Sequence, residues 1–296
     1  MMTKHSLGLK TIDEELLYKV LSIPSFSEKE GRMQEFLMEL AKAKGYDACL
    51  DSKGNVYLTK GALTDGEFYP CVTAHMDTVQ TPQVTYVERN EPLSLLTEER
   101  DDGTHIIYTK DFGLGGDDKA GIVIALSIMD RVEACKAVFF VEEEIGCRGS
   151  SKCELSWFKD VGYIMAFDSP EGNCASWSCN GERLFDRAFY ENYLKELGEK
   201  FGLTKFVAHP YTDVMLLHMD TCLACMNFGA GYYEYHTSDE YVVVEEMDNA
   251  AAMGIYLCGK LSNNEYLIPY IPYFKHEKDE DSEYFWNLFT NNLQQI

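Results

Sequence analysis

Between Thr11 and Ser22 the apolar positions Ile12, Leu16, Leu17, Val20 and Leu21 form one helical stripe. Asp13 and Glu14 fall in its first turn, where the helix dipole favours acid. Ile23-Pro24-Ser25 breaks the pattern. It resumes from Glu28 to Lys44 through Met33, Phe36, Leu37 and Leu40, and Gly45 stands where a C-cap belongs. Tyr46 to Leu50 and Asn55 to Lys60 then read as strands about Gly54, and Cys71 to Ala74 as a short buried strand ending at His75. Residues 84 to 109 read as irregular β structure, VTYVE, a polar loop and HIIYT. Lys119 to Val132 predicts a helix with Ile122, Ala125, Leu126 and Met129 on one face. Strands are predicted over Lys136 to Val141, Tyr163 to Phe167 and Cys222 to Phe228. Amphipathic patterning predicts helices over Arg183 to Phe201 and Met247 to Leu261, and Asp213 caps another running to about Met219.

Strands alternating with helices predict an α/β fold with a largely parallel core sheet. In such sheets, sites gather beyond the carboxyl ends of the strands. Metal-seeking residues stand there in this chain. His75 follows PCVTA, Glu144 follows VFFV by a short step, Asp168 ends YIMAF, and His236 lies in GYYEYHTSDE. Asp117 comes after a Gly-rich turn and before a helix. Two histidines and three carboxylates suit zinc and other divalent metals. They exceed what one tetrahedral ion needs and fit two ions sharing a carboxylate.

Each element also has a plainer reading. Asp77 is placed to orient His75, since a metal-bound histidine usually gives its other N–H to an acid or carbonyl. In Gly115-Gly116-Asp117-Asp118-Lys119-Ala120-Gly121 the first acid is placed to bridge two ions, yet acids also stabilise any helix N-terminus. Glu142, Glu143 and Glu144 repel one another unless a cation lies between them. One of them can ligate a metal while a neighbour acts as general base. Alone, Asp168 is a turn residue and His236 a structural histidine.

Charge narrows the partners. Asp and Glu number 49 against 26 Lys and Arg, a net −23, which repels nucleic acid and anionic membranes and attracts divalent cations. No apolar run is long enough to span a bilayer. The N-terminus has no apolar signal segment. Ten cysteines then point to free thiols and a cytoplasmic location. Cys222 and Cys225 have redox or zinc spacing, but they sit in CLACMNF, which reads as a buried strand.

The order H-x-D, GGDDKAG, EEIGCRGS, a strand-end Asp and HTSDE resembles the co-catalytic zinc exopeptidases of the M20, M28 and M42 peptidase families. The resemblance runs from about Leu16 to Leu261. IPSFSEKEGRMQEFL, DSKGNVYLTKG and YTDVMLLHMDTCLACMNFGAGYYEYHTSDEYVVVEEMDNA are most similar to the tripeptide-aminopeptidase branch of M20. It implies a three-layer α/β/α fold with a mostly parallel central sheet. It also implies two divalent ions, Zn²⁺ by default, with Co²⁺ or Mn²⁺ fitting the same donors. His75 and Asp168 would hold one ion, Glu144 and His236 the other, and Asp117 would bridge them. Asp77 would orient His75, Glu143 would be the general base, and Glu142 falls outside the acid pair. The implied reaction is metal-assisted amide hydrolysis of a short peptide or N-acyl amino acid.

The chain departs from the M20 pattern between Asp168 and His236. The 67 residues there leave no room for a lid or dimerisation domain. Residues 1–296 are therefore expected to form a single catalytic domain, a monomer or a homo-oligomer assembled without a lid. His209, Tyr211, Asp213 and Arg148 are the candidate substrate contacts. Arg148 and Arg183 are the nearest cations for a free carboxylate, while an excess acid such as Glu142 suits an ammonium. The balance favours an aminopeptidase over a carboxypeptidase. An amidohydrolase acting on N-acyl amino acids and a non-catalytic relative are the alternatives. The aromatic stretch from Tyr284 to Ile296 is expected to dock on the body as a short helix, with an oligomer contact as the alternative.

Overall fold

The stretch KAGIVIALSIM is apolar on every side, and such a helix has to be buried. In a computed structural model it forms most of helix α3 (Gly116–Arg131), buried from Gly116 to Met129. The structure describes residues 7–79, 91–209, 212–270, 280–281 and 283–285.

Beneath α3 lies a large sheet. Its strands in chain order are β1 (Asp47–Leu50), β2 (Val56–Lys60), β3 (Tyr69–His75), β6 (Cys135–Phe140), β7 (Val161–Ser169), β8 (Cys174–Cys179), β9 (Glu182–Arg183), β10 (Lys205–His209) and β11 (Cys225–Gly229). Across the sheet the order is β1-β2-β6-β3-β7-β11-β8-β10, with β9 on β8. The centre is parallel: β6, β3, β7 and β11 run together. Toward the edges β2 and β8 turn antiparallel to this core. YPCVTAH and CKAVFF are buried at every position, as strands covered on both faces must be.

Strand alternation separates the two faces. Cys135 of β6 lies near Cys258 of α6 (Val244–Leu261). Its neighbour Lys136 turns the other way and donates to Trp157 O at 2.7 Å. Helices α1 (Glu14–Leu21), α3 and α6 pack on the first face. Helix α5 (Asp213–Thr221) packs with the 3₁₀ turns Ser150–Lys152 and Leu155–Phe158 on the second. The result is the expected three-layer α/β/α arrangement. Helix α2 (Gly31–Lys44) packs against β1 and β2, and Gly45 ends it with φ +72.

A small antiparallel sheet joins β4 (Leu96–Glu99), β5 (His105–Tyr108), β12 (Tyr232–Tyr233) and β13 (Tyr241–Val243) in the order β12-β13-β5-β4. HIIYT supplies β5, while VTYVE lies outside the described residues.

Three expectations change. Arg183 to Phe201 is not one helix. Arg183 belongs to β9, and Asp186 accepts the Phe189 N–H and starts a short helix, Arg187–Phe189. A π turn follows over Tyr190–Leu194, then α4 (Leu197–Phe201). Phe189 and Tyr193 both pack edge-on against Tyr266, while Tyr190 meets Phe285, so aromatic packing overrides the simple helical period. Asp213 is not the cap of α5: Thr212 holds that position and Asp213 turns to Ser150. Strands β8 and β10 were not foreseen, because CASWSC and KFVAH carry little continuous apolar signal.

All ten cysteines are free, with Cys225 buried in β11 and Cys222 ending α5. In the C-terminal segment Phe285 is buried and stacks on Trp177 at 5.4 Å, so the chain docks at this residue; Trp286 onward lies outside the described residues. Among the described residues no helix is long and apolar enough to cross a membrane.

Candidate functional site

The register of the central strands brings two predicted residues together. Thr73 of β3 lies opposite Ala166 of β7, so two residues on, His75 and Asp168 emerge side by side. Asn227 of β11 fixes this end of β7: its Oδ1 accepts the Asp168 N–H at 2.9 Å and its Nδ2 donates to Asp168 O at 3.0 Å. Next to β3, β6 delivers Glu143 and Glu144 a short step beyond Phe140.

Asp117 comes from the start of α3. Gly115 has φ +72, and a Cβ there would lie 2.5 Å from Thr78 Cγ2, so only glycine fits the turn. Glu240 braces it, accepting the Gly115 N–H at 2.5 Å and the Asp117 N–H at 3.1 Å. The peptide between Asp117 and Asp118 is cis. His236 arrives on the turn after β12 with φ +61.

Asp117 divides its carboxylate between the histidines. Its Oδ1 is 3.2 Å from His75 Nε2, and its Oδ2 is 3.3 Å from His236 Nε2. His75 Nε2 also lies 3.5 Å from Asp168 Oδ1, and His236 Nε2 lies 2.9 Å from Glu144 Oε1. Among the described residues, two sets of possible metal donors each gather within 4.8 Å: His75, Asp118 and Asp168, and His75, Asp117 and Glu144. In the first set both Asp118 oxygens already accept backbone N–H groups, from Gly121 at 3.0 Å and His75 at 3.2 Å. Asp118 thus braces the turn, and Asp117 faces the histidines.

Asp77 works through two routes. His75 Nδ1 donates to the Asp77 carbonyl at 2.8 Å, while the Asp77 carboxylate is farther away at 3.6 Å. That carboxylate instead accepts N–H groups from Glu143 at 2.8 Å and Glu144 at 3.2 Å, and the Ser27 hydroxyl at 2.8 Å. One residue therefore orients both the histidine and the acid pair.

The electrostatics fit a cation site. Burial pushes Glu143 up to about 9 and Asp213 up to about 7, each further raised by Asp168. Burial also raises Glu144. Hydrogen bonds to Asp117 and Glu144 lift His236 to about 10. Burial opposes the charge on His75, yet Asp117, Asp168 and Asp77 hold it well above its ordinary value. For Asp117 the burial cost is outweighed by His236 and His75, and its carboxyl stays below its usual range. Carboxylates gathered out of water this densely repel one another, and divalent ions relieve that repulsion. The donor atoms, two imidazole nitrogens among carboxylate oxygens, suit zinc-type ions.

Other candidates lie elsewhere. Glu142 pairs with Lys53 at 2.5 Å and with exposed Arg148 at 3.6 Å, so it turns from the histidines. Arg148 also meets Glu28 at 3.8 Å. His209 pairs with Cys179 and Arg183 with Ser178. Strand β8 runs antiparallel to β11, with Phe228 opposite Ala175 and Asn227 opposite Ser176. Cys179 therefore lies level with the start of β11, yet its thiol, raised by burial, is near enough to Asp168 to be raised further by that charge. His209 thus lies beside Cys179, four residues before the buried Asp213, and Arg183 lies on β9. Arg183 pairs with Asp281 at 3.5 Å. Asp213 is buried, bonded to Ser150 and close enough to Glu143 to raise its pKa. Tyr211 lies outside the described residues. Sequence reading missed the supports Glu240, Ser27, Asn227 and Cys147. All four lie inside the motif stretches, but nothing there marks them as supports: Glu240, Ser27 and Asn227 act across the fold, and Cys147 acts within the turn that begins at Glu143.

The fold is shared with solved aminopeptidases. Aminopeptidase PepT from Bacillus cereus superposes with a TM-score of 0.69 at 15% identity, over 86% of this chain and 100% of that one. A tripeptidase from Staphylococcus aureus gives 0.65 at 16% identity, over 84% and 98%. An aminopeptidase from the archaeon Desulfurococcus kamchatkensis gives 0.61 at 16% identity, over 82% and 93%. No family model matches the sequence, and no curated protein matches it. At these identities the likeness establishes the fold.

Proposed function

We propose that this protein is a metal-dependent exopeptidase that removes residues from the amino end of short peptides. The observation that carries the reading is the divided carboxylate of Asp117, one oxygen toward His75 and the other toward His236, each histidine with a further acid. That set suits two divalent ions: His75 and Asp168 on one, His236 and Glu144 on the other, Asp117 shared. Zinc fits these donors best, and cobalt or manganese also suit them. When bound, such ions polarise a scissile carbonyl and lower the pKa of a water.

Glu143 is the proton carrier in this reading. Its Oε2 lies 4.0 Å from His75 Nε2, beside the metal donors. From there it takes the proton of the attacking water and passes it to the leaving amine. Asp77 holds Glu143 and His75 in one frame.

The amino end is favoured by the acidic side chains. Asp213, Glu143 and Glu144 line the site with carboxyl oxygens, which can accept hydrogen bonds from a substrate ammonium. Arg148 is paired with Glu28 and Glu142, and Arg183 with Asp281. We read the chain as one catalytic domain without a lid, open to short peptides.

The test compares wild type with Glu143→Gln, both stripped of metal and reloaded with zinc. Wild type is expected to cleave di- and tripeptides with a free amino terminus and to lose this activity with a chelator. Glu143→Gln is expected to bind as much zinc and to lose roughly 10²- to 10⁴-fold in kcat. Comparable turnover in the variant removes Glu143 from the role. Cleavage confined to N-acyl amino acids reassigns the protein as a deacylase.

A further inference from the structure

Cys147 stands against the carboxylate assigned above as the proton carrier. Its Sγ lies 3.2 Å from Glu143 Oε1, and the residue is fully buried. The backbone builds this placement. The N–H groups of Gly146 and Cys147 both donate to Glu143 O at 2.8 Å, closing a tight turn over the acid pair. Cys147 has φ +48, a left-handed conformation that costs a side-chain-bearing residue energy. Behind it, Ser150 Oγ reaches Cys147 O at 3.3 Å and pairs with buried Asp213.

We propose that Cys147 is a positioning residue for Glu143: its S–H donates to Oε1, so that Oε2, on the His75 side, is the oxygen that meets the water. The proposal rests on the assignment of Glu143 as the proton carrier. The terminal torsion of a glutamate is broad, so a donor on one oxygen selects one orientation of the carboxylate. A thiol is a weak donor and withdraws little of the charge the base needs. Burial, then Asp213 and Glu143, keep the sulfur protonated.

Two measurements on the intact protein decide it. The first is the infrared S–H stretch. With ten cysteines in the chain, the Cys147 band is assigned by subtracting the Cys147→Ser spectrum from the wild type. The band is expected to shift in Glu143→Gln. The second is kinetics of the zinc-loaded enzyme. Cys147→Ala is expected to lower kcat roughly five- to ten-fold with KM within about two-fold, on the scale of one lost hydrogen bond. Cys147→Ser is expected to restore most of the loss. A band indifferent to Glu143→Gln, or wild-type kcat in Cys147→Ala, overturns the proposal. If Cys147→Ala does not fold, the infrared shift decides alone. If the wild type cleaves no peptide, that failure falls on the proposed function, and the infrared shift still judges the pairing.

Discussion

The two histidines of the site are held in unlike ways. His75 ends a central strand with its side chain 1% exposed, its Nδ1 tied to Asp77 O and its backbone N–H tied to Asp118. His236 stands on a turn with its side chain 40% exposed and its backbone in the left-handed region. Their acids repeat the contrast. Asp168 lies within β7, whereas Glu144 rides the loop after β6. One half of the site is therefore set by sheet register and the other by loops. Strand residues are fixed by ladder hydrogen bonds on both sides, while a loop residue keeps its place through side-chain partners. The His75 half is preorganised by the fold, and the His236 half gains most from a bound cation.

Asp117 joins the halves, so changing it should have the largest effect. Asp117→Ala is expected to abolish binding of both ions and to take hydrolysis below detection, as read by metal analysis and peptide assay. One ion retained at full occupancy would mean the carboxylate is not shared.

The individual histidines sharpen the contrast. His75→Ala should destabilise the metal-free protein by about 3 kcal/mol, because it strips a buried partner from Asp117 and Asp168. His236→Ala should cost less, about 1 kcal/mol, since the histidine is 40% exposed and water can take its place beside the acids. It should leave one ion bound. Calorimetry and metal analysis of the two variants read this out, and equal losses would dissolve the distinction.

The smallest expected effect is on pH. In the metal-free protein Glu143 is pushed up to about 9, and Asp213 and Glu240 to about 7, all first by burial. Each keeps its proton when folded at pH values where the unfolded chain has lost it. Folding stability therefore falls as pH rises from the ordinary carboxylate range toward these values. His236 adds stability that is full below its ordinary 6.5 and is lost as pH rises through about 10. Lys119, lowered by burial to about 7, runs the other way above that pH. The balance predicts a Tm that falls between about pH 6 and pH 9 without metal. Added zinc should recover more Tm at the upper end. A Tm of the metal-free protein that rises over this window would contradict the crowding of charge described here.

Much of the fold was legible because its central strands are continuous apolar runs and α3 is apolar all round. PCVTA, AVFFV and YIMAF announce buried parallel strands, and the acids and histidine at their ends stand out against them. Legibility failed where local and tertiary signals conflict. CASWSC is buried, yet its serines and cysteines give no apolar run. Asp186 and the aromatic cluster divided what read as one helix. His209 was a candidate from its place ahead of Thr212-Asp213 and Arg183 as a nearby cation, and only strand pairing sets them beside Cys179 and Ser178 of β8.

By itself the sequence determined which residues could meet a metal, because apolar strands followed by His, Asp or Glu put donors at one sheet edge. Tertiary structure decided how they meet. It turned the two oxygens of Asp117 to different histidines, withdrew Glu142 to Lys53 and Arg148, tied His75 to a carbonyl more closely than to a carboxylate, and set Cys147 on Glu143. These are contacts between residues far apart in the chain or sharing one turn, and their geometry follows from strand register and backbone dihedrals. Residue spacing alone does not encode either.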